Sequence, residues 1–152
     1  MILALDTATK TGWALIKGGS VYESGVQDFS KKRGESNGIM FIRFRRWLSD
    51  MLKESKPDML VYEQTGHSFK NASAMEIAFN LSGRAQEIAD EHFIPYTTYT
   101  PSALKKFATG QGRADKAAMI EACKEKSGVP PKDDNEADAI LLGLMAYEEY
   151  GC

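Results

Sequence analysis

The amino-acid sequence predicts an α/β protein built on a sheet of five strands, and three observations carry that prediction. The chain opens with three short runs of apolar or alternating residues joined by brief turns, a pattern typical of an antiparallel meander. Two further compact apolar runs follow, each after a segment with the 3.6-residue period of a helix. From Pro101 onward the patterns are helical, with a glycine-rich break and a proline pair between them.

The first strand ends in a carboxylate, Asp6, which is the most informative feature of the N-terminal region. The three early strands are predicted at residues 2–5, 12–15 and 21–29, with a turn at 16–19. A charged side chain at the end of an apolar strand is costly to bury unless something compensates it. Asp6 therefore has two interpretations: it caps the next turn by accepting hydrogen bonds from Ala8 or Thr9 amides, or it binds a metal ion.

Two helices and two strands form the middle of the chain. The helices are predicted at residues 39–54 and 73–92, and the strands at 59–64 and 94–98. The fourth strand repeats the design of the first, because it too ends in a carboxylate, Glu63. The helix at 73–92 carries a face of mostly small residues, which lets either the sheet or a partner helix approach closely. Three arginines of the helix at 39–54 are interpreted mainly as solvated, with nucleic-acid contact as the alternative: Arg43, Arg45 and Arg46.

Three helices complete the chain. Pro101 begins a short helix with Thr100 as its cap, and two further helices are predicted at residues 114–126 and 134–147. Asp133 and Glu136 are expected to form a capping pair at the start of the last helix. Asp138 lies one turn into that helix, among the residues of its apolar stripe, where a purely structural helix more often has alanine or leucine.

Length and composition predict one domain spanning residues 1–152 and argue against several classes of protein. No basic segment leads an apolar region, as in a signal peptide, and no apolar run approaches the length needed to span a bilayer. The two cysteines, Cys123 and Cys152, have neither metal-ligand spacing nor disulfide-scaffold density, so a cytoplasmic location is expected. The formal net charge of −2 argues mildly against a protein that merely coats nucleic acid, although basic groups can cluster on one face.

Three carboxylates stand at special places in this pattern: Asp6, Glu63 and Asp138. Adjacent strands bring their ends within about 5 Å of each other, and a helix crossing the sheet there would add the third acid. Three acids gathered without cationic partners repel one another unless a divalent cation neutralises them. Oxygen ligands suit Mg²⁺ or Mn²⁺, and two such ions about 4 Å apart support phosphodiester hydrolysis.

Five segments of the chain resemble the RuvC family of Holliday-junction resolvases, especially its small phage-encoded members. The segments are ILALDTATKTGWAL at the start, VYEQ at Glu63, FKNASAMEIAFNLSGRAQEIA in the long helix, the basic stretch TPSALKKFATGQGRADK, and NEADAILLGL near the end. Together they cover nearly the whole chain in the family's order and spacing. The resemblance implies an RNase H-like fold, with three antiparallel strands and then two parallel ones in a mixed sheet flanked by helices.

The resemblance further implies that Asp6, Glu63 and Asp138 ligate the metal ions. The family pattern supplies a fourth group three residues before the last aspartate, and this chain has Asn135 there. Asparagine can ligate through its carbonyl oxygen but contributes no charge. Asp134 lies on the same helical face as Asp138 and could substitute. Helix capping is the alternative role for Asp134 and Asn135.

The basic segment is expected to contact DNA. The resemblance places Lys105 and Lys116 near the scissile phosphate, where a lysine stabilises developing charge or positions the backbone. Lys106 and Arg113 flank the glycine-rich break with them, so the segment is interpreted as a phosphate-contacting loop, with a solvated basic loop as the alternative. Phe69 and Lys70 follow the catalytic glutamate closely and are expected at the DNA surface, with Phe69 wedged against a base at the branch point.

The expected function is therefore a magnesium-dependent endonuclease on branched DNA, cutting a four-way junction symmetrically to leave a 5′-phosphate. Because a junction has two like strands to cut, a homodimer with twofold-related sites is expected, and the small-residue face of the helix at 73–92 could pack against its twin or on its own sheet. If the chain is phage-encoded, it acts in the cytoplasm of the bacterial host.

Three competing functions remain open at this point. One is an RNase H-like nuclease acting on flaps or RNA–DNA hybrids. Another is a junction-binding protein that has lost cutting, a hypothesis that the Asn135 departure allows. The third is half of a sugar-kinase or actin-like ATPase, which is disfavoured because the chain is too short for a second lobe and has no second phosphate loop.

Overall fold

A computed structural model, which describes residues 1–65 and 71–152, contains a mixed sheet of five strands. The strands are β1 (Ile2–Asp6), β2 (Lys10–Lys17), β3 (Ser20–Asp28), β4 (Met59–Glu63) and β5 (Tyr96–Tyr99). They lie in the order β3-β2-β1-β4-β5, with β1, β2 and β3 antiparallel and β1, β4 and β5 parallel. The predicted α/β fold, with three antiparallel strands and then two parallel ones, is confirmed.

Five helices flank the sheet in the described part of the chain: α1 (Asn37–Ser55), α2 (Ala72–Glu91), α3 (Pro101–Thr109), α4 (Lys116–Ser127) and α5 (Asp134–Tyr150). A side-chain oxygen accepts a hydrogen bond from a first-turn amide at the start of each one, from Ser36, Asn71, Thr100, Asp115 and Asp133 respectively. The predicted start of α3, with Pro101 in its first turn and Thr100 as its cap, is confirmed.

The two faces of the sheet carry separate hydrophobic cores because strand side chains alternate. Ile2 and Ala4 of β1 pack with α3, α4 and α5, whereas Leu3 and Leu5 pack with α1 and α2. β1 is thus covered on both faces, and Leu5 is fully buried. Its position at the centre of the sheet makes the end of β1 a rigid place for a functional side chain.

Several element boundaries differ from those predicted. β5 begins at residue 96 rather than 94, because its pairing with β4 starts where Leu60 faces Tyr96, and it extends to Tyr99 opposite Glu63. β2 is longer than predicted, since it pairs with β3 along its whole length. α4 begins at residue 116 rather than 114 because Asp115 caps it. α5 continues three residues beyond the predicted end, to Tyr150.

The small residues of α2 pack within their own chain. Ala78, Ser82, Ala85 and Ala89 are buried, whereas Gly83 and Phe79 are exposed on the outer side of the helix. The interpretation in which this face packs on its own fold is therefore correct for those buried positions, and a partner helix would meet the outer side instead.

Two of the α1 arginines are engaged in ion pairs within the chain. Arg43 pairs with Glu35, and Arg45 pairs with Glu87 and, at 2.8 Å, with Glu91 of α2. These ion pairs give both arginines partners within the chain, so their positions do not require nucleic acid.

Among the helices of the described residues, none has the length and hydropathy required to cross a membrane.

Candidate metal centre

Three carboxylates from distant parts of the sequence meet at one edge of the sheet. β1 and β4 are parallel neighbours in which Leu5 faces Tyr62, so the residues that end these strands, Asp6 and Glu63, lie side by side. α5 packs across β1 and β2 and brings Asp138 to the same place. One carboxylate oxygen from each of the three acids lies within 4.8 Å of the other two. This is the spacing of oxygens that share a cation.

The close approach of α5 depends on a glycine directly opposite Asp6. Gly12 of β2 is the cross-strand partner of Asp6. A Cβ atom at that position would lie 2.0 Å from the Asn135 carbonyl oxygen and 2.3 Å from its carbonyl carbon. Both are backbone atoms of the first turn of α5, which cannot move without moving the helix. Only glycine therefore allows α5 to carry Asp138 up to the strand ends.

The electrostatics of the cluster favour a bound cation. Burial raises the pKa of Asp6 well above its usual range, and the charges of Glu63 and Asp138 raise it further. Burial also raises the pKa values of Glu63 and Asp138, although the Lys105 ammonium partly offsets the rise at both. Asp138 has a buried Oδ1 atom with no hydrogen-bond partner among the described residues. An unpaired buried carboxylate oxygen on a residue that is grouped with two other acids fits a divalent metal ion.

Asp134 and Asn135 both lie in the first turn of α5, near this cluster, but neither caps the helix. That role belongs to Asp133, whose Oδ1 accepts a hydrogen bond from the Glu136 amide at 2.9 Å. The charge of Asp134 raises the pKa values of Asp6 and Asp138, and its Oδ2 lies 3.5 Å from the Lys116 ammonium. The capping alternative for these two residues is therefore wrong, and Asp134 is a carboxylate next to the three-acid cluster.

The turn after β1 is closed by a residue other than Asp6. The Thr11 hydroxyl donates to the Ala8 carbonyl at 2.6 Å and accepts from the Ala8 amide at 3.4 Å. Thr11 is fully buried, so these bonds are sheltered from water. The Ala8 amide offered to Asp6 under the capping interpretation is thus taken by Thr11.

The predicted basic residues lie in and around α3 and the start of α4. The Lys105 charge lowers the pKa values of Glu63 and Asp138, and the Lys116 charge lowers that of Asp138. Lys116 also pairs with Asp134, so both lysines are close to the acids. Lys106 and Arg113 are exposed to solvent. Phe69 and Lys70, predicted at the DNA surface, fall outside the described residues.

Sequence reasoning missed two contacts that hold the centre in place. Glu136 is buried, and its carboxylate accepts from the Ser24 hydroxyl and from the Lys132 amide, both at 2.7 Å. One half of the predicted capping pair is present, because Asp133 accepts from the Glu136 amide, whereas the Glu136 side chain ties α5 to β3. The available signal was its spacing, since Glu136 precedes the buried Ile140 by one helical turn.

The second missed contact joins the turn after Asp6 to α2. The hydroxyls of Thr7 and Ser82 are 2.7 Å apart and buried. Neither residue type stood out in the sequence, because a buried hydroxyl pair has no local pattern. The pair fixes the residue next to Asp6 against a neighbouring helix.

The comparisons with known proteins match this chain to proteins that carry the name RuvC. No family model matches the chain. The crossover junction endodeoxyribonuclease RuvC of Gloeobacter violaceus is 30% identical over 102 residues, which make up 66% of this chain and 58% of that protein. The protein of the same name from Ruegeria pomeroyi is 26% identical over 153 residues, covering 99% of this chain and 92% of the relative. The first match thus spans less than two thirds of its relative.

A solved structure shares the fold. It is Thermus thermophilus RuvC in complex with a Holliday junction substrate, with a TM-score of 0.79 and 18% sequence identity. The superposition covers 99% of this chain and 95% of that one. The likeness therefore extends over every described strand and helix.

Proposed function

The chain belongs to the RuvC family of Holliday-junction resolvases, and from this premise we propose that it is a metal-dependent endonuclease that cuts four-way DNA junctions by symmetric phosphodiester hydrolysis. The observation that carries the proposal is the convergence of Asp6, Glu63 and Asp138 within 4.8 Å. Named relatives of this family are crossover junction endodeoxyribonucleases. The proposed place of action is the cytoplasm, of the bacterial host if the chain is phage-encoded.

The proposed cofactor is Mg²⁺, with Mn²⁺ as a substitute, and two ions per site. Asp6, Glu63 and Asp138 would hold them, with Asp134 or Asn135 as a further ligand. Bound divalent ions supply activation of the attacking water and stabilisation of the leaving oxygen. The chain's own part is to hold the acids on two strands and one helix, so that they need no rearrangement when the substrate arrives.

The proposed substrate contacts come from the basic segment. Lys105 and Lys116 lie near the acids, where an ammonium can position the scissile phosphate and stabilise charge that develops on it. Lys106 and Arg113, both exposed, would contact phosphates farther along the strand. Phe69 and Lys70 are proposed to act at the branch point.

The proposed active form is a homodimer, because a four-way junction presents two like strands for cleavage. The outer sides of α1 and α2 carry the apolar side chains that would support it. Phe79 of α2 is 54% exposed and Ile42 of α1 is 51% exposed. α1 and α2 pack against each other, and exposed apolar side chains that form one contiguous patch mark a protein–protein contact.

The first test is cleavage of a synthetic four-way junction. With magnesium, the wild-type protein should produce paired nicks at symmetric positions. The D6N variant should cut at least about 100-fold more slowly, which is the loss of rate expected when one catalytic group is removed. D6N should still shift the junction on a native gel, because it loses a metal ligand and no basic residue. The matched control is D50N, which removes an exposed carboxylate of α1 and should cut like wild type.

Two outcomes would contradict the proposal. If wild type shifts the junction but leaves it intact with magnesium and with manganese, the chain is a junction-binding protein. If flaps or RNA–DNA hybrids are cut faster than junctions, the proposed substrate is contradicted, whereas the proposed metal centre is not.

A further inference from the structure

The loop between β3 and α1 lies at the same end of the sheet as the metal centre. β3 runs antiparallel to β2, and β2 runs antiparallel to β1, so β3 and β1 end at the same edge. Gly12 faces both Asp6 and Val26, which places Val26, near the end of β3, two strands or about 10 Å from Asp6. The amide of Phe29 donates to the Thr9 carbonyl at 2.8 Å, so the loop leaves the sheet beside the turn that follows Asp6.

This loop presents three consecutive basic side chains, Lys31, Lys32 and Arg33, all of them exposed. Within residues 1–65 and 71–152, none of the three forms an ion pair. The acidic side chains of the loop accept hydrogen bonds from its own backbone amides. Asp28 Oδ1 accepts from the Ser30 amide at 2.8 Å, and Glu35 Oε1 accepts from the Lys32 amide at 2.6 Å. The loop therefore presents more positive than negative charge to solvent.

The conformation of the loop is set before any ligand arrives. The Glu35 amide donates to the Lys32 carbonyl at 3.0 Å, and the Arg43 guanidinium of α1 binds the Glu35 carboxylate. Hydrogen bonding from Arg43 and then from the Lys32 amide lowers the pKa of Glu35 to about 2. The anchor is thus ionised at any pH at which DNA binding is measured. Gly34 supplies the left-handed backbone that the turn requires, with a φ of 83°.

We propose that Lys31, Lys32 and Arg33 form a second phosphate-binding patch, separate from the basic segment at residues 105–116, which holds the duplex arm of the junction as it leaves the metal centre. This inference rests on the proposed function. A basic patch on a fixed loop, which leaves the sheet from a strand two places away from β1, suits a DNA backbone that carries one charge per about 1.7 Å of helix axis. The patch binds phosphates and reads no sequence.

The test compares two double variants of equal charge. K31Q/R33Q removes two charges from the loop, and K17Q/K53Q removes two exposed lysines at the opposite end of the sheet. Junction binding is measured against salt concentration without added magnesium, so that the junction stays intact. K31Q/R33Q should bind more weakly and reduce the slope of log K against log salt by about 2, whereas K17Q/K53Q should keep the wild-type slope.

An unchanged slope for K31Q/R33Q would overturn the inference, and so would an equal loss of slope in both variants. A second measurement needs no variant: bound junction should protect Lys31 and Lys32 of the wild-type protein from acetylation and leave Lys17 and Lys53 reactive. Equal reactivity of all four lysines would also overturn the inference.

Cleavage with magnesium separates this inference from the proposed function. At a junction concentration below the wild-type dissociation constant, K31Q/R33Q should cut more slowly in proportion to its weaker binding, whereas K17Q/K53Q should cut at the wild-type rate. A wild-type protein that binds with the predicted loop dependence but does not cut contradicts the nuclease proposal alone. A wild-type protein that cuts, while K31Q/R33Q keeps its salt slope, contradicts the loop inference alone.

Discussion

At the scale of single residues, Asp138 shows a conflict between burial, which favours a neutral carboxyl, and the ionised form that a metal ion requires. Its pKa is raised by burial first, and then by the charges of Glu63 and Asp134. Its neighbours Ala137 and Ala139 are fully buried in the core under the sheet, so packing holds the aspartate in place despite this cost. Without a cation, the acids should therefore destabilise the folded chain whenever they are ionised.

This conflict predicts an unusual dependence of stability on pH. In the unfolded chain the carboxyls titrate near pH 4, whereas in the folded chain those of Asp6, Glu63 and Asp138 titrate higher. Between these values the folded state binds more protons, so the free energy of unfolding should fall as pH rises through that window. Urea unfolding in chelator at about pH 5 and about pH 8 would measure the fall, with about 1.4 kcal/mol lost per unit of net pKa elevation.

The variant D138N should flatten this pH dependence and be more stable than wild type near neutral pH in chelator. D50N, which removes an exposed acid, should keep the wild-type dependence. Saturating magnesium should cancel the fall, because cation binding favours the ionised acids. Stability that rises with pH in chelator would contradict the acid cluster as described.

At the scale of elements, the three-acid cluster depends on how α5 lies on the sheet. Two glycines allow the helix to touch the strands directly: Gly12 faces the Asn135 carbonyl, and a Cβ at Gly143 would lie 2.4 Å from Ile16 Cγ1. The first contact is at the end of α5 that carries Asp138. The second contact lies farther along the helix, toward the opposite end of β1 and β2, where Ile16 faces Ile2.

Replacing Gly12 by alanine should therefore damage stability and activity together. The new methyl group meets backbone atoms of α5, and overpacking of this kind costs about 1–3 kcal/mol. The helix start must shift, which moves Asp138 away from Asp6 and lowers affinity for magnesium. Junction cleavage as a function of magnesium concentration measures the shift.

The control for this prediction is G143A. It also crowds α5 against the sheet, yet its neighbour is the side chain of Ile16, which can adjust. It should lose comparable stability while keeping nearly the wild-type magnesium requirement. Equal magnesium requirements in G12A and G143A would rule out the role assigned to Gly12.

These contacts also explain which parts of the site were predictable. Asp6 and Glu63 end apolar strands, and Asp138 interrupts an apolar stripe, so each acid is marked by its own local pattern. The start of β5 and the bond from Ser24 to Glu136 were not predictable, because each depends on a partner far away in the chain. Ser24 and Glu136 are 112 positions apart. Local periodicity reports which face is buried but not which distant atom it meets.

At the scale of the whole molecule, two exposed phenylalanines lie in very different places. Phe79 is on the outer side of α2, with the exposed Gly83 one turn away. Phe93 follows the end of α2 and is 93% exposed. Exposure alone would make Phe93 the better candidate for a contact, whereas the proposed twofold dimer requires the α2 surface around Phe79.

The homodimer can therefore be tested with a pair of phenylalanine variants. Phe79→Gln keeps good helix propensity and should shift the protein from dimer to monomer in sedimentation equilibrium, because it removes an apolar contact from the proposed interface. Phe93→Asn suits the left-handed backbone at that residue, where φ is 58°, and should leave the dimer intact. In junction cleavage, the Phe79 variant should uncouple the two nicks, so that singly nicked junctions accumulate. A monomeric wild-type protein, or dissociation caused by the Phe93 variant alone, would contradict the placement of the interface on α2.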